Sequence, residues 1–190
     1  MFAHHTVPGD PRGGRPLDGV VLGIDPGLTR CGYALLQPGQ GGAVRAVAMG
    51  VIRTSAADPL PRRLADLQSE VDSLIREHGP SSVAVEQVFF QTNVRTAMSV
   101  GQASGVVLAL AAASGCTVAQ YTPSQVKDAV AGWGGAGKEQ VQRMVQKRLG
   151  LASLPKPADA ADAAAIAMCH ISVAPFTRSR EAAAARGRSR

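Results

Sequence analysis

The sequence predicts an α/β fold with a mixed sheet. Two observations carry this: three strand-like runs follow one another early in the chain, and helical and strand-like periods then alternate. The first run, VVLGI at 20–24, is apolar enough to be buried on both faces, and it delivers Asp25 into a Pro26-Gly27 turn. Pro26 pre-sets φ there, and Gly27 is expected to supply the positive φ of a type II turn. Residues 31–36 return as the partner strand of a hairpin. Past the glycine-rich QPGQGG, residues 43–52 form the third strand.

The alternating part begins with a helix over 59–79. Leu60, Leu64, Leu67, Val71, Leu74 and Ile75 share one face of it, and Gly79-Pro80 stops it. A short buried strand at 82–86 ends, like the first, on a carboxylate, Glu86. The polar loop QVFFQTNV, with adjacent aromatics Phe89 and Phe90, leads into a helix over 95–114. Its Gly101-x-x-x-Gly105 spacing admits a close neighbour, either the domain's own sheet or a second subunit. Residues 116–121 are a fifth strand. Thr122-Pro123-Ser124-Gln125 then reads as a capping box that starts a helix to Val130. A glycine-rich GWGGAG loop precedes a helix over 138–149, closed by Gly150, and Pro157 opens the last helix, which is expected to reach about Val173. In sheets of this kind ligands sit at the carboxyl ends of parallel strands. Asp25 and Glu86 both fall there.

Length and composition bound the function. The 190 residues fit one domain, 20–175, with a Gly- and Pro-rich leader at 1–19 and an Arg-rich tail at 176–190 that is expected to be disordered. With one Trp, two Tyr and four Phe, the core must be aliphatic and rich in Ala. Cys31, Cys116 and Cys169 are far apart with no CxxC, which argues against a disulfide frame or zinc site and for reduced thiols in a cytoplasmic protein. No apolar h-region opens the chain, and the run 106–113 is too short to cross a bilayer, so no membrane association is expected. The net charge is +6. The tail holds five Arg and one Glu, while the body carries thirteen basic and eleven acidic residues. With four of those acids sequestered on metal, the balance becomes thirteen to seven, which suits a polyanionic partner.

The four acids are Asp25, Glu86, Asp159 and Asp162. The last helix begins KPADAADAAAIAMCH, and Asp159 and Asp162, three apart, share one helical face. Acids in a first turn ordinarily answer the helix dipole. Here the following AAAIAM is apolar enough to be buried, so two acids leading into it are costly unless something positive holds them. No Arg or Lys suggests itself from the sequence as their partner. Four converging carboxylates want divalent cations, and oxygen-only donors select magnesium or manganese over zinc. Two such ions about 4 Å apart serve a phosphoryl displacement, and the basic surround points to a nucleic-acid backbone.

LGIDPG, AVEQVFF, GQASG, TPSQVK, GAGKEQVQ and ADAADAAAIA, in this order, resemble the RuvC family of bacterial Holliday-junction resolvases across 20–172. The resemblance implies an RNase H-like fold, a five-stranded mixed sheet flanked by helices. It implies that Asp25, Glu86, Asp159 and Asp162 are the catalytic acids and hold two Mg2+ (or Mn2+) ions. It also implies a homodimer that nicks opposed strands of four-way junction DNA symmetrically, beside the branch-migration proteins RuvA and RuvB, in recombination and repair. Phe89 matches the family's loop aromatic that stacks on a junction base, with Phe90 left to face the core. Lys127 and Lys138 match lysines near the scissile phosphate; otherwise they are solvated helix lysines. Gln87, Asn93 and Arg95 are further candidates for DNA contact. His170 reads as a structural hydrogen bonder rather than a base, and GWGGAG lacks the full phosphate-loop pattern because Glu139 follows Lys138. An actin-like ATPase is excluded by length, since it needs two such domains. A non-cutting junction binder and a sister RNase H-like nuclease remain as alternatives.

Overall fold

The computed structural model describes residues 19–87 and 94–188, with side chains at 94–96 and 178–188 excepted. Five strands, β1 (Val21–Asp25), β2 (Arg30–Pro38), β3 (Val44–Arg53), β4 (Ser82–Glu86) and β5 (Thr117–Tyr121), form one sheet in the order β3-β2-β1-β4-β5. β1 pairs antiparallel with β2 and parallel with β4, and β4 pairs parallel with β5. The mixed sheet expected from the sequence is therefore present.

Helices cover both faces. α1 (Leu60–His78) and α2 (Val94–Ala113) pack on one side over Leu22, Ile24, Leu35, Val83 and Val85. α3 (Pro123–Ala131), α4 (Lys138–Leu149) and α5 (Ala158–Arg188) lie on the other, over Val21, Ala34, Leu36 and Ala84. The two-residue alternation of each strand produces this partition. It also dictates where the strand-end acids go: Val21, Gly23 and Asp25 share a face, as do Ser82, Ala84 and Glu86, and that face is the one under α5. α1 buries Leu67, Val71 and Ile75, whereas Leu60, in its first turn, stays exposed. The capping box of α3 forms, with Gln125 N–H donating to Thr122 Oγ1 at 3.2 Å and Thr122 N–H donating to Gln125 Oε1 at 2.9 Å.

Three expectations change. Gly27 does not have positive φ; a Cβ there would instead stand 2.2 Å from the Arg30 carbonyl oxygen. The turn after Asp25 needs glycine for close backbone approach, not for a left-handed conformation. It is fastened by Thr54 Oγ1, which donates to the Leu28 carbonyl, and by Arg63, which reaches Thr54 Oγ1 at 2.9 Å and Thr29 Oγ1 at 2.7 Å.

Second, α5 does not end near Val173 but runs through Pro175 to Arg188, into the segment expected to be disordered. The run EAAAAR has high helix propensity, which the Arg content of the tail obscures. Third, among the described residues one helix is long and apolar enough to cross a bilayer by composition, the Ala158–Thr177 part of α5. That stretch is 61% buried inside the domain, because α5 is its core helix.

α5 comes unusually close to the sheet. A Cβ on Gly23 would meet the Ala163 carbonyl oxygen at 2.2 Å, and one on Gly32 would meet the Asp159 carbonyl oxygen at 2.1 Å. Two glycines on adjacent strands thus let the first turns of an Ala-rich helix sit directly on β1 and β2. Asp25 and Gly32 are register partners, so this contact places Asp159 beside Asp25.

Candidate active site

All four acids gather at one end of the sheet. Asp25 ends β1 and Glu86 ends the parallel β4, and the first turns of α5 bring Asp159 and Asp162 over them. Burial pushes the Asp25 carboxyl up to about 7, helped by the charges of Glu86, Asp162 and Asp159. Glu86 is raised too, by burial and then by Asp162, while a hydrogen bond with Asp25 acts the other way. These are the marks of carboxylates packed closer than their charges allow.

Cations answer the other two acids, which the sequence did not suggest. Arg30, at the start of β2, donates from Nε to Asp159 Oδ2 at 3.1 Å and from Nη2 to the same oxygen at 2.5 Å. Burial raises Asp159, but the Arg30 hydrogen bond and charge outweigh it and hold the carboxyl below its usual range. Lys138, the first residue of α4, donates to Asp162 Oδ2 at 2.7 Å, and that hydrogen bond raises the lysine. Among the described residues no three ligating side chains stand in a ready-made ion-binding arrangement. The donor set nonetheless fits a hard divalent cation: it is all carboxylate oxygen, on two strand ends and one helix, with mutual repulsion that an ion relieves.

The remaining candidates divide. Lys127, on α3, lies close enough to Glu86 to oppose the rise in its pKa. Gln87 is exposed, its N–H bound to the Tyr121 carbonyl at 2.8 Å. Phe89, Phe90 and Asn93 lie outside the described residues, as does the side chain of Arg95. His170 is buried, with Nδ1 2.9 Å from Tyr121 Oη, in keeping with a structural role. The three cysteines are free, and burial pushes the Cys31 and Cys169 thiols to about 12, so neither is a nucleophile at neutral pH. Arg30 was missed because its value depends on a contact 129 residues away in sequence.

The raised Asp25 fixes the sign of one pH effect. An aspartate whose folded pKa, about 7, exceeds its ordinary 3.8 binds more protons folded than unfolded between those values. Stability of the ion-free chain from this group is therefore greatest below about pH 4 and declines as pH rises through 7. In EDTA, urea unfolding at pH 8 against pH 6 is expected to show lower stability at pH 8 for the wild type. The difference shrinks in Asp25→Asn, and an undiminished difference in that variant assigns the effect elsewhere.

The family model for "Crossover junction endodeoxyribonuclease RuvC" matches residues 21–170, which takes in all four acids. The chain belongs to the RuvC family. Similar RuvC proteins include that of Syntrophomonas wolfei, 50% identical over 151 residues, covering 80% of this chain and 87% of the relative. That of Saccharopolyspora erythraea is 52% identical over 156 residues, covering 82% and 78%. Among solved structures, Thermus thermophilus RuvC in complex with a Holliday junction substrate superposes with a TM-score of 0.80 at 38% identity, covering 84% of this chain and 96% of that one. The yeast mitochondrial resolvase Ydc2, at 17% identity and a TM-score of 0.60, shares the fold. The RNase H-like architecture implied by the sequence motifs is thus the one found, and RuvC membership implies dependence on a divalent metal.

Proposed function

We propose that this chain is a metal-dependent endodeoxyribonuclease that resolves four-way DNA junctions by paired, symmetric nicks, acting in recombination and repair. The observation that carries it is the convergence of Asp25, Glu86, Asp159 and Asp162 at the carboxyl ends of β1 and β4, within a chain of the RuvC family. The four acids are the catalytic set and hold two magnesium ions, with manganese able to replace them. When bound, such ions stabilise the attacking and leaving oxygens of phosphodiester hydrolysis. Asp25 and Glu86, half-buried at the strand ends, give the site its floor; Asp159 and Asp162, on a helix end, complete it. Lys138 and Lys127 stand on the α3–α4 side of the acids, where an ammonium can hold a phosphate and offset charge developing on it. Phe89 stacks on a junction base, and Gln87, Asn93 and Arg95 add DNA contacts.

The active species is a homodimer, with one site for each of two opposed strands. Support comes from α2: Ala103, Ser104, Val107 and Ala111 face the sheet, leaving Gly101 and Gly105 on the exposed side with open space before them. Met98, 58% exposed, adds apolar surface on this helix. Packing against the domain's own sheet does not use those glycines, and a second subunit does. The protein acts in the cytoplasm with RuvA and RuvB.

Cleavage of a synthetic mobile four-way junction tests this, with linear duplex and an RNA–DNA hybrid as controls, with and without magnesium or manganese. Paired symmetric nicks on the junction alone, and only with metal, are expected. Binding without cutting leaves a junction-binding protein, and cutting of the hybrid moves the chain to a sister nuclease.

A further inference from the structure

Arg30 does not stand alone. Arg53, the last residue of β3, is its register partner on the neighbouring strand. Residues opposed in an antiparallel pair project to the same face, and like charges there repel. Arg30 spends its guanidinium on Asp159. Arg53 is exposed, and its side chain makes no hydrogen bond or ion pair among the described residues. Two arginines are thus set side by side at the rim of an acid cluster, on the β2–β3 side of it, across from Lys127 and Lys138. Neither the hairpin nor the core needs this pair: Arg63, not Arg30 or Arg53, fastens the turn after Asp25. A repulsive cross-strand pair becomes favourable once an anion sits between its members, and the planar fork of arginine matches phosphate geometry.

We propose that Arg30 and Arg53 form a clamp for one backbone phosphate of the DNA strand entering the site, with Arg30 engaged by Asp159 until that carboxylate is needed for a divalent ion. The clamp rests on the nucleic-acid reading given above and assigns it a second phosphate subsite. Its position is opposite the lysines, so the strand is gripped on both sides of the acids. In the ion-free chain only Arg53 is available to DNA. With magnesium present, Arg30 is released from Asp159 and joins it.

The two halves of the clamp therefore respond differently to the metal. Junction affinity of the full chain is measured in EDTA by fluorescence anisotropy as a function of salt. Arg53→Gln is expected to reduce the log–log salt slope by about 0.9, the value for one phosphate contact, and Arg53→Lys to restore it. Arg30→Gln should leave the EDTA slope at the wild-type value. In magnesium, single-turnover cleavage against enzyme concentration should show a half-saturating concentration about tenfold higher for Arg30→Gln and for Arg53→Gln alike. Both side chains are on the surface, and thermal unfolding verifies that each variant is folded. A wild-type EDTA slope in Arg53→Gln overturns the clamp, as does unchanged half-saturation of Arg30→Gln in magnesium. Equal slope losses for both variants in EDTA overturn the engagement of Arg30 by Asp159. Failure of the junction reading looks different: the wild-type chain then binds junction no better than linear duplex. The same salt slopes measured on that duplex still decide the clamp.

Discussion

Asp25→Asn is expected to bind a four-way junction as the wild type does and to cut it at least about a hundredfold more slowly, a loss of roughly 2.7 kcal/mol or more in transition-state stabilisation. Asn fills nearly the same volume, so the sheet and the helix above it should stay in place. What changes is the donor set. The Asp25 carboxyl is raised to about 7, by burial first and then by the charges of Glu86, Asp162 and Asp159. Replacing it with an amide removes a negative charge from the centre of the cluster and puts an N–H where an anionic oxygen stood. The exposed lysines and arginines around the acids, proposed above to hold DNA, are left intact. Competition binding and single-turnover cleavage on one labelled junction measure both quantities. Cutting at the wild-type rate removes Asp25 from the mechanism.

The second large effect is expected from Gly32→Ala, a change that touches no charged group. The new methyl would lie 2.1 Å from the Asp159 carbonyl oxygen and 2.7 Å from its carbonyl carbon. Both are backbone atoms at the start of α5, so no side chain can swing aside to make room. The helix end must lift off β2, at a cost of about 1–3 kcal/mol in stability. Because Asp159 moves with it, a shift on the order of 1 Å is expected to slow cleavage by roughly a hundredfold. Urea unfolding and single-turnover cutting test the two parts together. Wild-type stability with wild-type cutting would show that α5 does not depend on this close approach. Loss of stability without loss of cutting would separate the packing role of Gly32 from the position of Asp159.

These two variants mark the boundary between local and distant information in this chain. Strand periods, the α1 stripe, the α3 capping box and the glycine stops are all set by residues within a few positions of one another, so they could be read directly. The pairing of Asp159 with Asp162 is also local, since three residues separate neighbours on a helical face. Convergence with Asp25 and Glu86 was legible for a subtler reason. Both acids end buried strands, and alternation along β1 and β4 commits them to the same face as Gly23 and Ala84.

Sequence by itself thus determined the α/β sheet, the four acids as a set, and the oxygen-only chemistry they offer. Tertiary structure decided how close those acids come and what answers their charge. Gly23 and Gly32 are silent in any local pattern, because their role is to have no side chain where a helix from the far end of the chain must land. Gly27 was misread for the same reason: its constraint is the Arg30 carbonyl, not its own φ. Arg30 and Lys138 meet Asp159 and Asp162 across 129 and 24 residues, and no spacing rule reaches that far. Charge interactions depend on distance in space and on burial, and both are fixed only when α5 is laid on the sheet.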